Sequence, residues 1–104
     1  MKSQAAVMHA PQAAFTMEEV DIGAPRAGEL LVRIEAVGIC HTDLVFASGA
    51  LGTPFPLILG HEGAGVVEAV GEGVSGFAPG DKVLLTFDSC GECRQCEAHL
   101  PSYC

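Results

Sequence analysis

Four of the five cysteines fall in the last fifteen residues, Cys90, Cys93, Cys96 and Cys104, spaced C-x2-C-x2-C-x7-C. Thiolates at such steps can close round one tetrahedral ion, and zinc takes them at about 2.3 Å. The segment 90–104 offers only Leu100 and Tyr103 as sizeable apolar side chains, so it cannot build a core of its own. A bound metal substitutes for that core, with apparent free energies of about 10–16 kcal/mol in zinc-finger peptides. The segment reads as a structural zinc lobe. Disulfides would suit an exported chain, but five cysteines is an odd number. Gln4, His9, Pro11 and Gln12 also interrupt any apolar stretch that could serve as a signal peptide. An iron–sulfur cluster is the sharper rival, because C-x2-C-x2-C opens the bacterial ferredoxin run. There the fourth cysteine follows after three residues and precedes proline, whereas Cys104 follows after seven and is the final residue.

A second group could hold a metal in a different way. Cys40 lies in Gly38-Ile39-Cys40-His41-Thr42-Asp43, and His61 in Gly60-His61-Glu62-Gly63. A thiolate and an imidazole from two turns can share one ion, and a catalytic zinc takes three protein ligands and keeps one position open. Cys40 and His61 would be two of the three, and no obvious third appears. Glu62 could supply it, although as the chain neighbour of His61 it sits more naturally behind the metal. Taken singly, these residues stay ambiguous. A lone cysteine is commonly a small buried hydrophobe, and a lone histidine is more often hydrogen-bonded than ligating.

The elements that must position these groups are mostly short strands. Leu30–Val37 is β-branched and alternating and ends at Gly38; Gly65–Val70 ends at Gly71; Lys82–Phe87 follows a Pro79-Gly80-Asp81 turn. A turn or two of helix is expected at Thr42–Ala47, before Ser48-Gly49. Pro25–Gly28 and Gly71–Gly76 read as connecting turns. Five to seven such strands can close into a small barrel that protects its edges, with the cysteine lobe as an excursion. Gly71-Glu-Gly73-Val-Ser-Gly76 matches the dinucleotide fingerprint, but that fingerprint opens a helix, and Phe77-Ala-Pro79-Gly80 breaks one at once. It reads as a turn.

Composition sets outer limits. The chain has 104 residues, 49% hydrophobic and 17% charged, which suits one globular domain. Its formal net charge of −8 argues against a nucleic-acid partner. No apolar run approaches the length of a membrane helix, and cytoplasm is the expected compartment. Cys104 would be both a metal ligand and the last residue, so the chain is expected to be a fragment of a longer protein.

Together, Gly38-Ile39-Cys40-His41-Thr42-Asp43, Gly60-His61-Glu62-Gly63-Ala64-Gly65-Val66-Val67, Gly80-Asp81-Lys82-Val83 and the four-cysteine lobe resemble the zinc-dependent medium-chain alcohol dehydrogenases. The resemblance covers essentially the whole chain, and within the family it leans toward the aryl (benzyl) alcohol and glutathione-dependent formaldehyde branches. It implies a mainly β, GroES-like, partly open barrel over residues 1–104, truncated, with residues 90–104 as its zinc lobe and the C-terminal Rossmann domain absent. It further implies that Cys40 and His61 bind a catalytic zinc, with Glu62 in its inner sphere or just behind. Asp43 would fix the His61 tautomer, Thr42 would hold the substrate hydroxyl's proton, and His41 would face the cofactor pyrophosphate. Cys90, Cys93, Cys96 and Cys104 would close the structural zinc. Val45 stands where some relatives carry a histidine that ends the proton relay. The implied reaction of the complete enzyme is oxidation of a primary or aromatic alcohol to the aldehyde with hydride transfer to NAD(P)+, carried out by a homo-oligomer. The contrasting expectation, for the fragment as it stands, is a zinc-binding structural or interaction module without chemistry.

Overall fold

The computed structural model describes residues 1–104 throughout. Six strands, two short helices and one 3-10 turn follow in the order β1 (Lys2–Met8), β2 (Thr16–Asp21), β3 (Leu30–Gly38), α1 (His41–Ser48), β4 (Leu57–Ile58), β5 (Glu62–Val70), β6 (Lys82–Leu84), α2 (Arg94–Glu97) and the 3-10 turn Pro101–Tyr103. The strands form two antiparallel three-stranded sheets, ordered β2-β1-β4 and β3-β5-β6. The barrel is therefore a partly open one, made of two sheets rather than one closed ring. No helix is long and apolar enough to cross a membrane.

The strands expected at Leu30–Val37 and Gly65–Val70 are present as β3 and as the larger part of β5. The third is shorter than its apolar run: β6 stops at Leu84, although Leu85 N–H still donates to Gly63 C=O at 2.8 Å. The hairpin of β1 and β2, paired from Lys2↔Asp21 to Val7↔Thr16, has no counterpart in the sequence reading. Its strands mix Ala, Ser, Gln, Glu, Lys and Asp with only Val7, Thr16 and Val20 as β-branched residues, so no run of β formers marks them. The Gly71–Gly76 segment opens no helix, as its glycines and the Pro79 that follows require.

The site is positioned by the pairing of β3 with β5. Their register runs from Leu30↔Val70 to Gly38↔Glu62, with irregularities at Leu31/Val32 and Ile34/Ala36. Glu68 is passed over on one strand and Glu35 on the other, so the two offsets cancel. Arg33 sits between them, its Nη1 3.0 Å from Glu35 and its Nε 3.2 Å from Glu68. On β5, Gly63, Gly65 and Val67 alternate as the buried face. Gly65 is needed for closeness: a Cβ there would lie 2.2 Å from the Arg33 carbonyl oxygen and 2.9 Å from Val32 Cγ1.

Beyond this ladder the apolar burial is thin. Val7, Met8 and Val67 are the buried hydrophobic side chains, and Leu84 on β6 is 85% exposed. The 90–104 lobe contains no buried residue, as its composition leads one to expect.

Candidate metal centres and relation to known proteins

The β3–β5 register carries the ends of these strands to one place. β3 leads through Ile39 to Cys40, while His61 and Glu62 open β5. Cys40 is also the N-cap residue of α1, in extended conformation, with its C=O accepting from Asp43 N–H at 3.1 Å. At its other end α1 stops at Gly49, whose φ of 80° only glycine adopts freely.

Asp43 joins the two halves. It is 8% exposed. Its Oδ2 accepts from the Cys40 N–H at 3.0 Å, and its Oδ1 lies 3.3 Å from His61 Nδ1. One carboxylate thus ties the helix start to the imidazole. A carboxylate at Nδ1 favours the tautomer protonated there and turns the Nε2 lone pair toward the opposite side. On that side the Cys40 sulfur, a His61 ring nitrogen and a Glu62 carboxylate oxygen all lie within 4.8 Å of one another. Glu62 Oε1 is 3.9 Å from His61 Nε2. Thiolate, imidazole and carboxylate are the donors that zinc accepts.

The electrostatics favour a thiolate at Cys40 and a protonated imidazole at His61. The Cys40 thiol titrates lower than usual, through the Thr42 backbone N–H, the Thr42 hydroxyl (3.6 Å from the sulfur) and His61. His61 is raised, first by its contact with Cys40, against partial burial, and then by the charges of Asp43 and Glu62. His41 is the first residue of α1 and is exposed. Thr42 is half-buried beside Cys40, and Val45 lies further along the helix.

Phe87 was not singled out by its sequence context, where an aromatic ending an apolar run reads as core. It stacks on His61 with ring centroids 4.4 Å apart and planes 19° apart. With Leu84, Leu85 and Thr86 it walls a cleft of about 350 Å³ that opens onto His61 and Glu62.

The second cluster gathers as its spacing implies. All five cysteines are free, and the sulfurs of Cys90, Cys93, Cys96 and Cys104 lie within 4.8 Å of one another. The Cys90 and Cys96 sulfurs are 4.0 Å apart. Zinc–sulfur bonds of 2.3 Å set tetrahedral S···S edges of about 3.8 Å, so a single ion fits with little adjustment. The Cys90 sulfur accepts from the N–H groups of Glu92 (3.4 Å) and Cys93 (3.2 Å), and these bring its thiol down to about 6. Partial burial, together with the neighbouring sulfurs, pushes Cys96 up to about 11. One thiolate is thus stabilised by backbone dipoles, while a further one in the same cage is disfavoured without a cation.

The alcohol dehydrogenase GroES-like domain family matches residues 26–104. Over all 104 residues the chain is 48% identical to a geraniol dehydrogenase of Castellaniella defragrans (strain DSM 12143 / CCUG 39792 / 65Phen) and spans 28% of that protein. Its fold is similar to an alcohol dehydrogenase zinc-binding domain protein from Burkholderia ambifaria, with a TM-score of 0.97 and 48% identity, covering all of this chain and 28% of that one. It is also similar to benzyl alcohol dehydrogenase from Acinetobacter calcoaceticus, with a TM-score of 0.97 and 39% identity, covering all of this chain and 29% of that one. By the matched stretch and these relatives alike, the chain belongs to the alcohol dehydrogenase GroES-like domain family.

Proposed function

We propose that the chain is the metal-holding part of a zinc-dependent, NAD(P)-linked alcohol dehydrogenase acting on primary alcohols. The observation that carries this is the meeting of Cys40, His61 and Glu62 donor atoms within 4.8 Å, at the mouth of a cleft with apolar walls. The donor set is mixed N, S and O rather than all sulfur. It has three members, which leaves a position for a substrate oxygen. Cys90, Cys93, Cys96 and Cys104 make the contrasting closed set, suited to a structural ion.

When bound, zinc would supply Lewis acidity toward the alcohol oxygen, and NAD(P)+ would accept the hydride. The chain's own residues do the rest. Asp43 holds His61 so that Nε2 presents a lone pair. The Thr42 hydroxyl, beside the Cys40 sulfur, can accept and pass on the proton of a hydroxyl bound in the cleft. Val45 offers no acid or base, so the proton must leave by a different path or through water. Leu84, Leu85 and Phe87 present an apolar wall that favours an apolar substrate body. This agrees with the geraniol and benzyl alcohol named for two relatives. His41, exposed at the start of α1, is available to a cofactor phosphate. The nicotinamide itself would need a nucleotide-binding domain of the kind that a chain of the relatives' length has room for, since the present one spans 28% of them.

Metal analysis tests the reading first. Two zinc ions per chain, the second held more weakly, are expected; a single tightly held ion would favour a structural module instead. In a protein of the relatives' length, zinc-replete samples should reduce NAD(P)+ with benzyl alcohol or geraniol. No reduction with any primary alcohol would refute the proposal.

A further inference from the structure

Gly38 closes β3 directly opposite Glu62, yet unlike Gly28 or Gly49 it has no positive φ that would require glycine. Its requirement is spatial. A Cβ built on Gly38 would lie 2.3 Å from Glu62 Oε2, 3.3 Å from Glu62 Cβ and 3.4 Å from Glu62 Cδ. The three nearest atoms thus all belong to one side chain, and the carboxylate lies in the space a methyl group would fill. Its other oxygen, Oε1, is the one 3.9 Å from His61 Nε2.

We infer that Gly38 is a positioning residue for the Cys40–His61–Glu62 centre, acting by leaving a berth for the Glu62 carboxylate. The inference rests on the metal-centre reading proposed above. Glu62 is half-exposed, with 49% of its side chain accessible. When displaced it can swing into solvent, so Gly38→Ala relieves its clash at the carboxylate and not at the backbone. The fold survives and the donor is lost.

The experiment is a cobalt(II) titration of the chain after one equivalent of zinc has filled the four-cysteine lobe, followed through the cobalt d–d bands. Wild type should take one cobalt. Gly38→Ala and Glu62→Gln should each bind it at least about tenfold more weakly, since losing a donor costs no less than losing a group that only orients one. Their d–d bands should shift in the same direction, while zinc in the lobe and the far-ultraviolet circular dichroism stay unchanged. The double variant should bind no more weakly than Glu62→Gln alone, because Gly38 has nothing left to position. Wild-type affinity in Gly38→Ala would overturn the inference, as would a full Gly38→Ala penalty persisting on the Glu62→Gln background. Should Gly38→Ala fail to fold, Glu62→Gln decides alone, since undiminished cobalt affinity there leaves the berth without purpose. A wild-type chain that takes no second metal removes the centre itself, an outcome distinct from these.

Discussion

Replacing Asp43 by asparagine separates the two tasks this carboxylate performs. Oδ2 accepts from the Cys40 N–H at 3.0 Å, and Oδ1 faces His61 Nδ1 at 3.3 Å. An asparagine can keep the first contact with its carbonyl oxygen, which preserves the start of α1. Its amide NH2 then faces His61 and donates where the native group accepts. The imidazole responds by taking the other tautomer, which puts a proton on Nε2, where the metal lone pair should be. Loss of a carboxylate behind a histidine ligand costs about 10–100-fold in metal affinity, or about 1.4–2.8 kcal/mol. The fold should lose less, because the amide replaces the carboxylate in an almost identical volume. Asp43→Ala should forfeit both, weakening the metal and also uncapping the helix by about 1–3 kcal/mol. Cobalt titration of the zinc-primed chain, alongside urea unfolding, reads the two quantities separately. If Asp43→Asn bound cobalt as tightly as wild type, the tautomer argument would be wrong, however the stability moved.

Cys93→Ser should lose one zinc and the hydrogen-exchange protection of residues 90–104 while β1–β5 keep theirs, whereas Cys40→Ser should lose only the second metal; equal damage from both would contradict two separate centres. Gly65→Ala should destabilise the chain by about 1–3 kcal/mol in urea, the usual range for overpacking, because the added methyl meets the Arg33 carbonyl rather than a movable side-chain tip. The Thr16 hydroxyl and then His9 hold Glu18 below the usual carboxylate value of 4.5. Its contribution is therefore complete above that value and disappears as pH falls through the lower folded one. Glu18→Gln should flatten the acid limb of the stability–pH curve in that window and leave the neutral region parallel to wild type.

The parts of the site that were legible in the sequence are those in which residue type nearly dictates chemistry. Cys90, Cys93 and Cys96 are close in sequence and so must be close in space. Ligand chemistry alone could only suggest pairing Cys40 with His61, and the family resemblance was needed to firm it, because twenty residues and a strand register separate them and no local rule supplies that register. Asp43 is invisible by spacing alone, since an Asp at the third helical position reads simply as a favourable helix start. Phe87 and Gly38 were missed for the opposite reason: each has a common structural role that hides a particular neighbour. The β1–β2 hairpin escaped because its residues have little intrinsic preference for strand, and its stability comes from pairing that the linear chain does not display.

The cancelling offsets at Glu35 and Glu68 give the β3–β5 pair a spare residue on each side. A strand that loses one amino acid can straighten its kink and still bring Gly38 opposite Glu62. Without that slack the same loss would shift one ligand past the other by about 3.4 Å and reverse which way it points. Evolution or an engineer can thus shorten each strand once, at its own unpaired Glu, without dismantling the centre, but a second deletion in the same strand has no allowance.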